Sequence, residues 1–183
     1  MKSKILVYSA LALGLTTAII PVPVKAMPVA SPLSIAQATN RLTETNVRAV
    51  IDQLQTARAN QNVDQTLALI APFAVTVVTV QSGNGLSTIT TRLEGTQAHR
   101  QLLEQSFGQV QIQESLENYV TIDIINDDFG IAKIYQMEAV ETAEGQAWMA
   151  SSQTVLRLGR VDGRVLITSA TVEGWISPRP TQN

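Results

Sequence analysis

Residues 116–175, LENYVTIDIINDDFGIAKIYQMEAVETAEGQAWMASSQTVLRLGRVDGRVLITSATVEGW, decide the fold. Val120, Ile122 and Ile124 alternate with Thr121 and Asp123, the period of a strand with one face against a core. The segment from Ile131 to Val140 is rich in apolar and aromatic residues. Thr154 to Leu158 and Val165 to Val172 are dense in β-branched and aliphatic types. Such residues fit a pleated, half-buried surface. Breaks fall at Asn126-Asp127-Asp128, at Glu144-Gly145 and at Asp162-Gly163. Asp-Gly between two such runs is a strong hairpin signal, because the tight turn that matches strand twist needs positive φ. The stretch therefore reads as an antiparallel meander of four long strands, and its cover has to come from upstream.

Upstream, Val47, Val50, Ile51, Leu54 and Ala57 recur at helical spacing. They predict an amphipathic helix from near Asn46 to near Asn60, with Arg48, Asp52 and Gln55 on its wet side. Asn62 followed by Gln65 reads as the capping box of a second, shorter helix that buries Val63, Leu67 and Ile70 and stops at Pro72. Residues 73–80, FAVTVVTV, read as a buried strand. Ser82-Gly83-Asn84-Gly85 is a turn, and residues 86–93 are a more exposed returning strand. A third helix opens at Gly95-Thr96 with Thr96 as its cap. It turns Ala98, Leu102, Leu103 and Phe107 inward and ends at Gly108.

A chain of 183 residues is one domain by default. It has no cysteine, which excludes disulfides, thiol catalysis, thiolate metal sites and a lipoprotein anchor. Its single histidine, His99, excludes a multi-histidine metal centre. Lys2 and Lys4 precede an apolar run to Ile20, and Val24-Lys25-Ala26 closes it as a small-residue cleavage site, the layout of a secretory signal peptide over residues 1–26. Ala36-Gln37-Ala38 offers an alternative cut after residue 38. The apolar run is shorter than the roughly 20 residues a spanning helix needs, so no stable membrane insertion is expected once the leader is gone. Export to the periplasm, the cell exterior or an equivalent lumen follows.

Cleavage after Ala26 removes three of the thirteen basic residues and none of the fifteen acidic ones, moving the net charge from −2 to −5. That balance argues against nucleic acid as a partner. Residues 27–45 read as a flexible tether, 46–176 as the folded domain and 177–183 as a tail.

The order helix, helix, strand, strand, helix, then four strands implies an α+β fold. It is a strongly curved antiparallel sheet, a cone or half-barrel, with about three helices on its concave face. At this point the chain resembles the nuclear-transport-factor-two-like superfamily, which includes SnoaL-like and ketosteroid-isomerase-like proteins. The likeness lies in ARANQNVDQTLALIAP at 57–72, EGTQAHRQLLEQSFGQV at 94–110, DDFGIAKIYQMEA at 127–139 and VLRLGRVDGRVLITSATVE at 155–173. Arg164-Val165 stands where many members carry a tryptophan. The resemblance implies a pocket between sheet and helices, and often a homodimer through the sheet's outer face. Its members include isomerases, dehydratases, epoxide hydrolases, polyketide cyclases and proteins that only bind, so the fold does not choose a function.

The residues favour binding over catalysis. An isomerase of this kind needs a carboxylate base and an oxyanion donor converging in one pocket, as ketosteroid isomerase has. Among the strand carboxylates Glu117, Asp123, Glu138, Glu141 and Glu173, Asp123 is out of phase with its aliphatic neighbours and reads as solvated. His99 borders the stripe of the third helix and is a candidate acid or base, with Tyr135 beside it in an enzyme reading. Tyr135 and Met137 share one phase of their strand, Trp148 and Ser152 one phase of the next. With His99 they are the candidate pocket residues. Neither the Asn126-Asp127-Asp128 turn nor any other run has the spacing of a metal loop, and no cofactor motif is present. The expectation is an exported, non-catalytic domain that binds a small apolar ligand or a protein partner as a homodimer. The alternatives are an isomerase or dehydratase acting on a hydrophobic substrate, or a structural assembly module.

Overall fold

A computed structural model describes residues 41–82, 87–107, 110–142 and 145–179, with backbone alone at 110–113. The expected leader, and its alternative cut after residue 38, lie outside these residues. So does the Gly108 expected to end the third helix.

The first helix, α1 (Glu44–Ala59), starts where Thr43 accepts a hydrogen bond from the Asn46 N–H. Leu42, inside the expected tether, belongs to the folded unit. It is buried in the core, and its N–H donates to the Asp127 carbonyl. At the other end Gln61 takes a left-handed φ of 52°. Its N–H donates to the Arg58 carbonyl and the Asn62 N–H to the Ala57 carbonyl. This is the Schellman pattern with glutamine in the position usually given to glycine, and it fixes the last turn that carries Arg58.

Asn62 then caps α2 (Val63–Leu67) through the Gln65 N–H. This helix ends well before Pro72, the expected stop. The chain is already in strand β1 (Ile70–Ser82), and Ile70 belongs to that strand and not to a helical stripe. Pro72 sits where the β1 register shifts between Ile70 and Val75, an irregularity that tolerates a missing N–H.

Strand β2 (Thr88–Glu94) returns beside β1, and Gly95, at φ 74°, turns the chain straight into α3 (Gly95–Phe107). Thr96 therefore lies inside the first turn instead of capping it. The buried face of α3 is His99, Leu102, Leu103 and Ser106: Leu102 and Leu103 are inward as expected, while Ala98 and Phe107 are only half-buried. The four long strands follow as β3 (Val110–Asn126), β4 (Phe129–Thr142), β5 (Ala147–Val161) and β6 (Arg164–Pro178). Asp162 and Gly163, at φ 51° and 75°, make the primed turn between β5 and β6.

The sheet order is β2-β1-β6-β5-β4-β3, antiparallel throughout except for the parallel β1–β6 pair. The meander is thus as read, and β1 closes onto its last strand. Register shifts in β3 and at Arg157/Leu158 bend the strands. At the latter, Thr168 is the extra residue, and its hydroxyl donates to the Arg157 carbonyl. Inward-facing positions of β6 consequently change from Val165 and Ile167 to Ala170 and Val172. The architecture is α+β, a curved, unclosed six-stranded sheet with helices in its hollow. A core of Val47, Ile51 and Leu54 from α1 packs against Ala132, Ile134, Leu156 and Leu158 from the sheet.

Candidate functional site

Between the helices and the concave face lies a cavity of about 50 Å³. A water needs about 10–15 Å³ of such space, so the cavity has room for about three to five waters or a ligand of a few heavy atoms. Leu54, Leu102, Leu103, Leu156 and Ile167 give it aliphatic walls. Five polar side chains interrupt them: Arg58 from α1, Thr66 from α2, Thr76 from β1, His99 from α3 and Thr154 from β5. Its lining, apolar with a few polar points, has the composition of a small-molecule site, at a volume far below the usual one.

His99 is brought here by the helical spacing it shares with Leu102 and Leu103, and it is buried. Its Nδ1 lies 2.7 Å from the Gly95 carbonyl oxygen one turn back. A carbonyl only accepts, so Nδ1 carries the proton. In the neutral ring Nε2 then accepts from the Thr76 hydroxyl at 2.8 Å. Both nitrogens are engaged within the chain, joining helix to sheet as a satisfied buried histidine does.

Arg58 is the opposite case. It is 5% exposed. Burial pulls its pKa down to about 10, against the raising influence of the Glu138 charge, so the guanidinium stays protonated at neutral pH. Among the described residues no hydrogen bond or ion pair reaches that guanidinium, and its Nε is enclosed without a partner. Glu138, on the inner face of β4 and also buried, acts on it only at longer range. A buried charge without a contact partner is costly. Helical spacing carries the signal for Arg58: 47, 51, 54 and 58 fall on one face, and an arginine in that series is a charge aimed inward.

The inner row of β4 is Ala132, Ile134, Gln136, Glu138 and Val140. Tyr135 and Met137, expected in the pocket, are on the convex face. Tyr135 pairs across β3 with Tyr119, their rings stacked at 6.3 Å. The phase is hard to read from sequence because both rows mix apolar and polar residues, and the inner row is the one that hides Gln136 and Glu138. Ser152 faces inward opposite Gln136, beside the cavity and not in its wall, and Trp148 is half-buried against a second small core of Val78, Val140 and Val172. Gln136 is 1% exposed, and neither of its amide atoms has a partner among the described residues. Asp123 is exposed, 3.9 Å from Lys133. Among the described residues no three His, Asp or Glu side chains gather as metal ligands would, and no helix is long and apolar enough to cross a membrane.

No protein-family model matches the chain, and no curated protein matches it. Solved structures do. A protein from Novosphingobium aromaticivorans assigned as a scytalone dehydratase superimposes with a TM-score of 0.59 at 10% identity, over 75% of this chain and 88% of that one. A ketosteroid isomerase-like protein from Erwinia carotovora atroseptica gives 0.55 at 12% identity, over 73% and 98%. A Xanthomonas campestris protein assigned as a calcium/calmodulin-dependent protein kinase II association domain gives 0.55 at 17%, over 79% and 97%. Identities this low speak for the fold and leave the activity open. With its bent sheet, helix-filled hollow and strand order, the chain has the cone fold of the nuclear-transport-factor-two-like superfamily.

Proposed function

We propose that this protein is an exported, non-catalytic domain that binds a small ligand with an apolar body in the hollow of its cone. The observation that carries this reading is the cavity itself, walled by leucines and isoleucine and touched by a few polar groups. The state of His99 favours binding over turnover: a general base needs a lone pair free to meet a substrate proton, and the Nε2 lone pair is taken by Thr76. Tyr135, the other group an isomerase or dehydratase reading would use, stands across the sheet from the cavity. The basic, apolar, then small-residue pattern of residues 1–26 supports export.

Crystals pressurised with xenon test the binding reading. One xenon site bounded by Leu54, Leu102 and Leu156 is expected. A cavity that stays empty under xenon would end this proposal.

A second copy of the chain on the convex face is supported by Tyr119 and Trp175, 62% and 37% exposed, alongside the exposed Tyr135. Aromatic groups of this kind anchor interfaces. Sedimentation is expected to give a dimer that Tyr119→Glu dissociates. A wild type that is monomeric at high concentration counts against it.

A further inference from the structure

We propose that the ligand of the cavity carries a carboxylate, held by Arg58. This inference rests on the ligand-binding reading and adds the chemical class. Three observations support it. Arg58 lines the cavity and is buried, yet its guanidinium has no partner among the described residues. A guanidinium offers donors in a planar fork that matches a carboxylate with two parallel bonds. Glu138, fixed to the sheet, opposes part of the desolvation through its charge, and no ion pair among the described residues joins it to Arg58, so the fork stays open.

The size of the space limits the rest of the ligand. About 50 Å³ limits it to a short branched monocarboxylate whose body meets Leu54, Leu102 and Leu156. The amide of Gln136, without a partner among the described residues, is a second unmet polar group on the inner face, opposite Ser152 and outside the cavity wall. Glu138 competes with an incoming anion for the field of Arg58. Neutralising Glu138 should therefore tighten carboxylate binding, which a passive apolar cavity would not show.

The test uses the full exported chain and three probes of similar shape: isovalerate, isoamyl alcohol and isoamylamine, each titrated by calorimetry. Isovalerate is expected to bind at least tenfold more tightly than the alcohol, and the amine not at all. Arg58→Lys keeps the charge and loses the fork, and should weaken isovalerate about tenfold. Arg58→Met should abolish its binding while leaving the alcohol, a loss of about a hundredfold or more. Glu138→Gln should tighten isovalerate several-fold. Equal affinity for acid and alcohol, or isovalerate binding unchanged in Arg58→Met, overturns the carboxylate assignment and leaves the ligand-binding reading intact. Failure of all three probes in a protein that also excludes xenon removes both. The wild-type ranking decides the question even if a variant does not fold.

Discussion

Arg58 and His99 enter the same cavity from two helices, and the chain treats them in opposite ways. His99 has a carbonyl on one nitrogen and a hydroxyl on the other, 2.7 and 2.8 Å away. Arg58, with more donors and a full charge at neutral pH, has no such contact among the described residues. One polar group is complete within the fold and contributes to holding it. The other is held in place by its helix end and left open. Burial alone does not separate structural from functional polar groups; what separates them is whether the hydrogen-bond inventory closes.

Breaking the closed member of the pair should have the largest effect. His99→Leu leaves the Thr76 hydroxyl without its partner and removes the bond to Gly95. Urea denaturation should show a loss of about 2–4 kcal/mol, two buried polar groups being stranded at about 1–3 kcal/mol each. A loss near zero would mean that the two bonds carry little net free energy.

The open member should show itself in alkali. Burial lowers the pKa of Arg58 in the folded chain to about 10, well below that of the free group. Below pH 10 both the folded and the unfolded chain are protonated there, and the folded state bears a penalty on the order of 3 kcal/mol. Above pH 10 the unfolded chain binds more protons at this group, so stability rises with pH relative to a protein lacking it. The stability gap between wild type and Arg58→Met is thus expected to narrow from pH 10 upward. A gap independent of pH across this window would show that Arg58 is not desolvated.

Filling the space between the two residues should act more gently. Leu156→Phe adds carbon to the cavity wall and should raise stability by about 0.5–2 kcal/mol while blocking small-molecule binding. A stability loss with binding retained would mean the cavity is not where the ligand sits. For contrast, the Lys133–Asp123 pair at 3.9 Å on the convex face is both partnered and wet. Lys133→Ala should change stability by about 0.5 kcal/mol or less, as exposed ion pairs do.

How much of this the sequence revealed follows the same division. The Asp162-Gly163 turn was legible because positive φ leaves a chemical mark on residue choice. The stripe of α1 was legible because Val47, Ile51 and Leu54 are uniformly apolar. The inner phase of β4 was not, since its two rows carry comparable apolar content and the inward row includes Gln136 and Glu138. The β6 phase turns on the bulge at Thr168, which alternation does not announce. Arg58 shares the helical spacing of that stripe, but its charge sets it apart from the apolar residues that mark a buried face. The partners of His99 are 4 and 23 residues away, and only the second needed the fold to be found.

The hollow of this cone holds an arginine whose charge no contact among the described residues satisfies. The most direct test is the stability of Arg58→Met against wild type at neutral pH with no ligand present, measured by urea unfolding with unchanged slope. A more stable variant is expected, by about 1–3 kcal/mol, as when a poorly compensated buried charge gives way to an apolar side chain. A variant less stable than wild type by a similar amount would show that Arg58 makes net favourable contacts within the fold, and would contradict the claim.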